Sequence, residues 1–209
     1  MSDKETQTED ATSTKQQKHQ ERQQKLKQKV DERIAAASED KGLFLVITGN
    51  GKGKSTAGFG VVTRAVGHGY KAGVAQFIKG QWECGERNLL QNNGVEFHVM
   101  GTGFTWETQN RESDIEQSEL IWKEAKRMLA DPSIDVVLLD ELTYLVSYKY
   151  LELDDVVNAI ANRPDGQHVV VTGRGCHRQL IEMADTVSEV QSTKHAFDSG
   201  IKAQKGIDW

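Results

Sequence analysis

The sequence predicts an α/β protein, a mostly parallel sheet with helices on both faces, and three observations carry that prediction. From Gly42 onward, short β-branched runs alternate with helical stretches. A glycine-rich turn, Gly49-Asn50-Gly51-Lys52-Gly53-Lys54-Ser55, directly follows the apolar run Leu43–Ile47. A second apolar run, Ile134–Leu139, ends in the carboxylate pair Asp140-Glu141. Strand, tight turn and helix in that order aim backbone N–H groups and a helix N-terminus at one point, where an anion can be held.

Residues 1–41 are rich in Lys, Glu, Gln, Asp, Ser and Thr and nearly free of large apolar side chains. That composition cannot form a packed core, so the first part of the chain is expected to be disordered. Between Gln20 and Ala37, Leu26, Val30 and Ile34 recur every four residues and lay a thin apolar stripe along one helix face. Periodicity leaves two readings, a solvated helical tail or a conditional helix that docks as a lid, and by itself favours the tail. Residues 42–209 are expected to form a single phosphate-loop domain. Its strands are expected at 43–48, 72–78, 95–100, 134–139, 168–172 and 187–190, with a helix from Lys54 to Val66 behind the glycine turn. The clearest helix runs from Ser113 to Asp131: Asp114 and Glu116 sit in its first turn, Lys126 and Arg127 in its last, and Pro132 ends it.

At 209 residues, 37% hydrophobic and 27% charged, the chain can bury one substantial core. A net charge of −5 and a pI near 5.7 argue against a nucleic-acid partner, which would call for a basic surplus. No apolar run approaches the roughly 20 residues that cross a bilayer, and the N-terminus lacks the apolar core of a secretory signal. The expectation is a soluble, cytoplasmic protein with no membrane partner. Cys84 and Cys176 have no metal-ligand spacing. Cys176 lies near an expected helix N-terminus, which can lower a thiol pKa, but the favoured reading is a reduced cysteine without a catalytic role.

The glycine turn departs from the usual phosphate loop. Four residues ordinarily separate the first Gly from Gly-Lys-Ser/Thr, whereas three separate Gly49 from Gly53, and Thr48 holds the usual first-Gly position. Triphosphate binding is therefore better supported than ordinary γ-phosphate chemistry. Lys54 supplies a point charge and the Ser55 hydroxyl a ligand for Mg²⁺. Asp140 and Glu141, at the end of an apolar strand, are equal candidates for the same ion. Arg64, ten residues beyond Lys54, reads either as a phosphate contact or as a surface ion pair. Arg174 and Arg178 follow an expected strand and reach the same sheet edge, where either can clamp anionic oxygens. Phe104 and Trp106 stand among glycines and polar residues, so they either cover a flat, apolar ligand or fold back into the core. No nucleophile stands with its base at a recognisable spacing.

Five stretches together resemble one family: Gly49–Thr56, Gly103–Arg111, Leu139–Tyr144, Thr172–Arg178, and Lys194–Asp198 with Lys202–Asp208. The chain from about Gly42 to Trp209 is similar to the ATP:corrinoid adenosyltransferases of the bacterial CobA/BtuR/CobO type, in the same motif order. The resemblance implies a phosphate-loop NTPase fold of RecA-like kind and transfer of the 5′-deoxyadenosyl group of ATP to Co(I). The acceptor is cob(I)alamin, cobinamide or a cobyrinic acid derivative, and triphosphate leaves. It implies that ATP lies reversed on the altered loop. The roles it implies are triphosphate binding by Asn50, Gly51, Lys52, Gly53, Lys54, Ser55 and Thr56, with Lys54 neutralising charge, and nucleotide contact by Arg64. Arg174 remains the candidate clamp that its position suggests. Ser55 and Glu141 would hold Mg²⁺, with Mn²⁺ as an alternative, while Phe104 and Trp106 would crowd the lower corrin face. Also implied are a flavodoxin-type electron donor, a homodimer and a lid role for the N-terminal helix. Two readings compete, a kinase or ATPase suggested by the loop and Asp140-Glu141 alone, and an ATP-gated corrinoid carrier or sensor; without the resemblance ATP binding would stand and the corrin would be beyond reach.

Overall fold

The computed structural model describes residues 3–78, 83–101 and 111–208, with side chains from Gln16 onward. The chain divides into two units, Met1–Asp40 and Lys41–Trp209.

In the first unit a single helix, α1, spans Asp3–Ala36. It begins well ahead of Gln20, in the stretch expected to be disordered. The physical reason is propensity: Asp3–Ala36 contains neither Gly nor Pro and is dominated by Lys, Gln, Glu and Ala. Same-face pairs add to it, with Lys27 and Asp31 3.2 Å apart and Gln28 donating to Glu32 at 3.0 Å. Leu26, Val30 and Ile34 are exposed along this helix.

In the second unit the order is β1 (Phe44–Thr48), α2 (Lys54–Gly67), β2 (Ala72–Gln76), α3 (Gly85–Gln91), β3 (Glu96–Val99) and α4 (Arg111–Ala130). There follow β4 (Val136–Asp140), α5 (Leu142–Ser147), α6 (Leu153–Ala161), β5 (His168–Thr172), α7 (Arg178–Met183), β6 (Thr186–Glu189) and a 3₁₀ turn at Ala196–Ser199. The sheet runs β3-β2-β4-β5-β1-β6, and each pairing is parallel. Every expected strand is present, with ends shifted by a residue or two.

The apolar continuity of Val136–Leu139 is that of a strand buried on both faces. Val137 and Leu139 enter one core cluster with Trp122, Met128, Leu142 and Ile160, so α4, α5 and α6 cover that face. Val136 and Leu138 enter the other with Phe59, Val62 and Ala65, under α2. The period-two split of one strand between two cores places helices on both sides of the sheet.

At the β3 edge, ligand-type atoms of Glu96, His98 and Glu124 lie within 4.8 Å of one another. Arg127 pairs with Glu96 and, at 2.9 Å, with Glu124, so this cluster is already charge-compensated.

Opposite the site, at the amino ends of the strands, buried Gln167 ties α4 to β4. Its Nε2 donates to the carbonyls of Met128 and Asp131 at 3.1 Å and of Ile134 at 2.9 Å. Arg163 closes the same corner by donating to the carbonyls of Ile160, Gln167 and Gly42. Replacing Gln167 by Leu removes the donor from three carbonyls, and the expected cost is about 1–3 kcal/mol. Urea unfolding should show a lower midpoint at unchanged m.

Candidate active site

The strands deliver the residues that follow β1, β4 and β5 to one edge of the sheet, where a cavity of about 720 Å³ opens. Asn50, Gly51, Lys52, Gly53, Lys54, Ser55 and Thr56 form one wall, and Glu141 and Arg174 join them. The rest of the lining comes from Glu83–Glu86 and Leu89, with His195, Ala203 and Gly206–Asp208 from the C-terminal segment.

The loop owes its path to glycine at two positions. Gly51 donates its N–H to the Val190 carbonyl at 2.7 Å, and a Cβ there would sit 2.5 Å from the Gln191 carbonyl oxygen. Only a residue without a side chain lets the loop lie against the chain leaving β6. Gly53, at φ 112°, caps α2 in the left-handed region and faces open space. The first intrahelical bond is Ala57 N–H to Gly53 O at 2.8 Å, so the amides ahead of Ala57 form the anion-binding turn of α2. Lys54 is buried and its Nζ curls back to donate to the Gly51 carbonyl at 2.8 Å, bracing the loop from within.

The two carboxylates at the end of β4 separate. Asp140 is fully buried inside the sheet, where its Oδ1 accepts from Thr172 Oγ1 at 2.7 Å and its Oδ2 from Gln76 Nε2 at 3.1 Å. Glu141, at φ 63°, turns the chain into α5 and lines the cavity. Of the two carboxylates ranked equal from sequence, Glu141 is the one that lines the cavity, because the left-handed turn swings it out of the sheet. Its backbone N–H donates to Thr172 Oγ1 at 3.0 Å, which fixes that turn.

Of the arginines, Arg174 lines the cavity, and its carbonyl accepts from Thr143 Oγ1 at 2.7 Å. Arg178 is exposed and pairs with Glu182 at 2.6 Å along α7, which is the surface alternative. Arg64 sits in the last turn of α2, exposed and outside the cavity lining. Ten residues of helix carry it about 15 Å along the axis from Lys54. Phe104 and Trp106 lie outside the described residues.

Sequence reasoning missed the rest of the lining. The segment Lys194–Asp208 had been read for its resemblance alone, with no role for any residue. The missing information is strand placement: β6 pairs with β1, matching Glu189 to Thr48, so the chain leaving β6 must run past the phosphate loop. There Asp208 forms an ion pair with Lys52. That pairing, followed by the Gln204 N–H, holds the Asp208 carboxyl below the usual carboxylate range. His195 Nδ1 caps the 3₁₀ turn by accepting from Phe197 N–H at 3.2 Å. Beside Glu141, burial and then the Glu141 carboxylate push the Tyr144 phenol up.

A parallel α/β sheet whose β1–α2 turn folds as an anion cradle, with Glu141 and Arg174 brought to the same cavity, defines a phosphate-loop nucleotide-binding protein. The family described as ATP:corrinoid adenosyltransferase BtuR/CobO/CobP matches residues 40–209, and its companion, the cob(I)alamin adenosyltransferase N terminal, matches residues 6–34. The chain is 62% identical to a corrinoid adenosyltransferase of Escherichia coli (strain K12) over 193 residues, 92% of this chain and 98% of the relative. It is 60% identical to corrinoid adenosyltransferase CobA of Salmonella typhimurium, with the same coverage, and 53% identical to a corrinoid adenosyltransferase of Pseudomonas aeruginosa over 93% and 97% of the two chains. Among solved structures, the flagellar accessory protein FlaH of Methanocaldococcus jannaschii superposes at TM-score 0.47 and 13% identity, over 77% of this chain and 76% of that chain. The chain belongs to the ATP:corrinoid adenosyltransferase family, and is a transferase of that class.

Cys176 is not among the residues that line the cavity. Burial pushes its thiol up to about 11, opposite to the effect a helix N-terminus would have. Alkylation at Cys176, followed by peptide mass spectrometry, should stay slow at pH 8. Its rate should climb about tenfold per pH unit toward pH 11, because only the thiolate reacts.

Proposed function

We propose that this cavity is where ATP meets a corrinoid, and that its loop wall holds the triphosphate while the corrin approaches C5′. The observation that carries the reading is one cavity lined by the whole loop, Asn50–Thr56, together with Glu141 and Arg174, in a chain of this family. The electron pair of Co(I) attacks C5′ of ATP; the cobalt–carbon bond forms, the C5′–O bond breaks, and its electrons leave on triphosphate. No proton moves, so no general base is required, in keeping with the absence of a nucleophile–base pair in the sequence motifs. The protein's work is orientation and stabilisation of the leaving charge.

In this reading the α2 amides and Lys54 receive the triphosphate, and Arg174 adds charge from the end of β5. Ser55 and Glu141 line the same cavity and present hydroxyl and carboxylate oxygens, a donor set that fits Mg²⁺ and also Mn²⁺. When bound, the ion would neutralise the departing triphosphate. Phe104 and Trp106 are assigned, on the family resemblance, to crowding the lower corrin face, which favours Co(I) over Co(II). We further propose a flavodoxin-type electron donor, a homodimer, a cytoplasmic setting, and adenosylcobalamin or its precursors as product.

The deciding experiment is an anaerobic assay of protein, MgATP and chemically reduced cob(I)alamin in dim light. Adenosylcobalamin should appear in step with triphosphate; ADP with an unalkylated corrin would overturn the reading in favour of phosphoryl transfer. Glu141→Gln should lower kcat about 100-fold with little change in melting temperature. Asp140→Asn should do the reverse, loosening the Thr172 and Gln76 contacts and lowering the melting temperature. Phe104→Ala and Trp106→Ala should impair turnover with enzymatically reduced Co(II) substrate far more than with supplied Co(I). Equal losses in the two assays would remove their assigned role.

A further inference from the structure

Lys52 is the loop residue whose side chain reaches outward, and its ammonium is paired with Asp208 of the C-terminal turn. That turn is built around Asp208: the Asp208 carboxylate accepts from Gln204 N–H at 2.6 Å, and Asp208 N–H returns to the Gln204 carbonyl at 2.8 Å. It has a second tie, where Lys205 lies 3.3 Å from Glu83. Lys52 is therefore one of several ties on the turn. A polyphosphate on the loop brings several negative charges to within reach of the same ammonium, and Lys52 cannot satisfy both partners fully. Side-chain exposures of 46% for Lys52 and 22% for Asp208 mark a rim pair, weak enough to exchange.

We propose that Asp208 is a displaceable counter-ion for Lys52: polyphosphate oxygen and the Asp208 carboxylate compete for the ammonium, and Asp208 recaptures it as triphosphate departs. Asp208 is thus a positioning residue that sets how readily the loop releases triphosphate. The inference rests on the loop's binding triphosphate, as argued above, and adds a release element from the far end of the chain.

The test is calorimetric titration of the full chain with inorganic triphosphate and Mg²⁺ at low salt, for the wild type, Asp208→Asn, Asp208→Glu, Lys52→Met and the Asp208→Asn/Lys52→Met double variant. Asp208→Asn should bind triphosphate about two- to fivefold more tightly than the wild type. Asp208→Glu should match the wild type. In the Lys52→Met background the Asp208→Asn gain should vanish, which a merely structural role for Asp208 would not produce. The gain should also shrink in 0.5 M salt, as the competing charges are screened. Unchanged or weaker binding by a folded Asp208→Asn protein overturns the exchange and leaves the site reading intact. Failure of the wild type to bind triphosphate at all overturns both.

Discussion

Thr172, at the end of β5, donates to Asp140 and accepts from the Glu141 amide, and the site depends on the strand placement that this junction secures. β5 lies between the loop strand β1 and the carboxylate strand β4. Parallel pairing on both sides of β5 brings the three carboxyl ends level, so residues distant in sequence open onto one cavity. Asp140 contributes from inside the sheet: buried and bonded to Thr172 and Gln76, it joins the ends of β2, β4 and β5. Of the two carboxylates at the end of β4, Glu141 is the one that lines the cavity.

Two kinds of rigidity meet at the loop. Its back is packed against the chain leaving β6, where Gly51 admits no side chain, and its inside is braced by the buried Lys54. Its front carries Lys52, which is paired with Asp208 at the rim. A cradle fixed in backbone and adjustable in one side chain suits a reaction whose chemistry comes from the incoming metal nucleophile. Such a site must align two reactants and then let a highly charged product go.

Much of this was legible in sequence because it rests on local rules. The strand–glycine-turn–helix signal located the cradle at Gly49–Ser55, and the uninterrupted apolar run Ile134–Leu139 announced a strand buried on both faces. What sequence left equal, geometry divided. Asp140 and Glu141 are neighbours in the chain, yet a left-handed turn at Glu141 sends one inward and the other outward. Arg174 and Arg178 are four residues apart, yet one faces the cavity and the other a helix neighbour. Arg64 shares a helix with Lys54, yet the helical rise, invisible in a residue count, sets it at the far end of α2 from the loop.

The sequence by itself determined the α/β class, the anion cradle and the kinship with corrinoid adenosyltransferases, since backbone conformation at glycine, hydrophobic period and motif order are all local or linear properties. Only the tertiary structure decided which carboxylate lines the cavity and that the C-terminal turn contributes to its lining. The pairing of Lys52 with Asp208 belongs there too. Those outcomes follow from strand order and register, which join residues more than a hundred positions apart through non-local hydrogen bonds that no window of sequence contains.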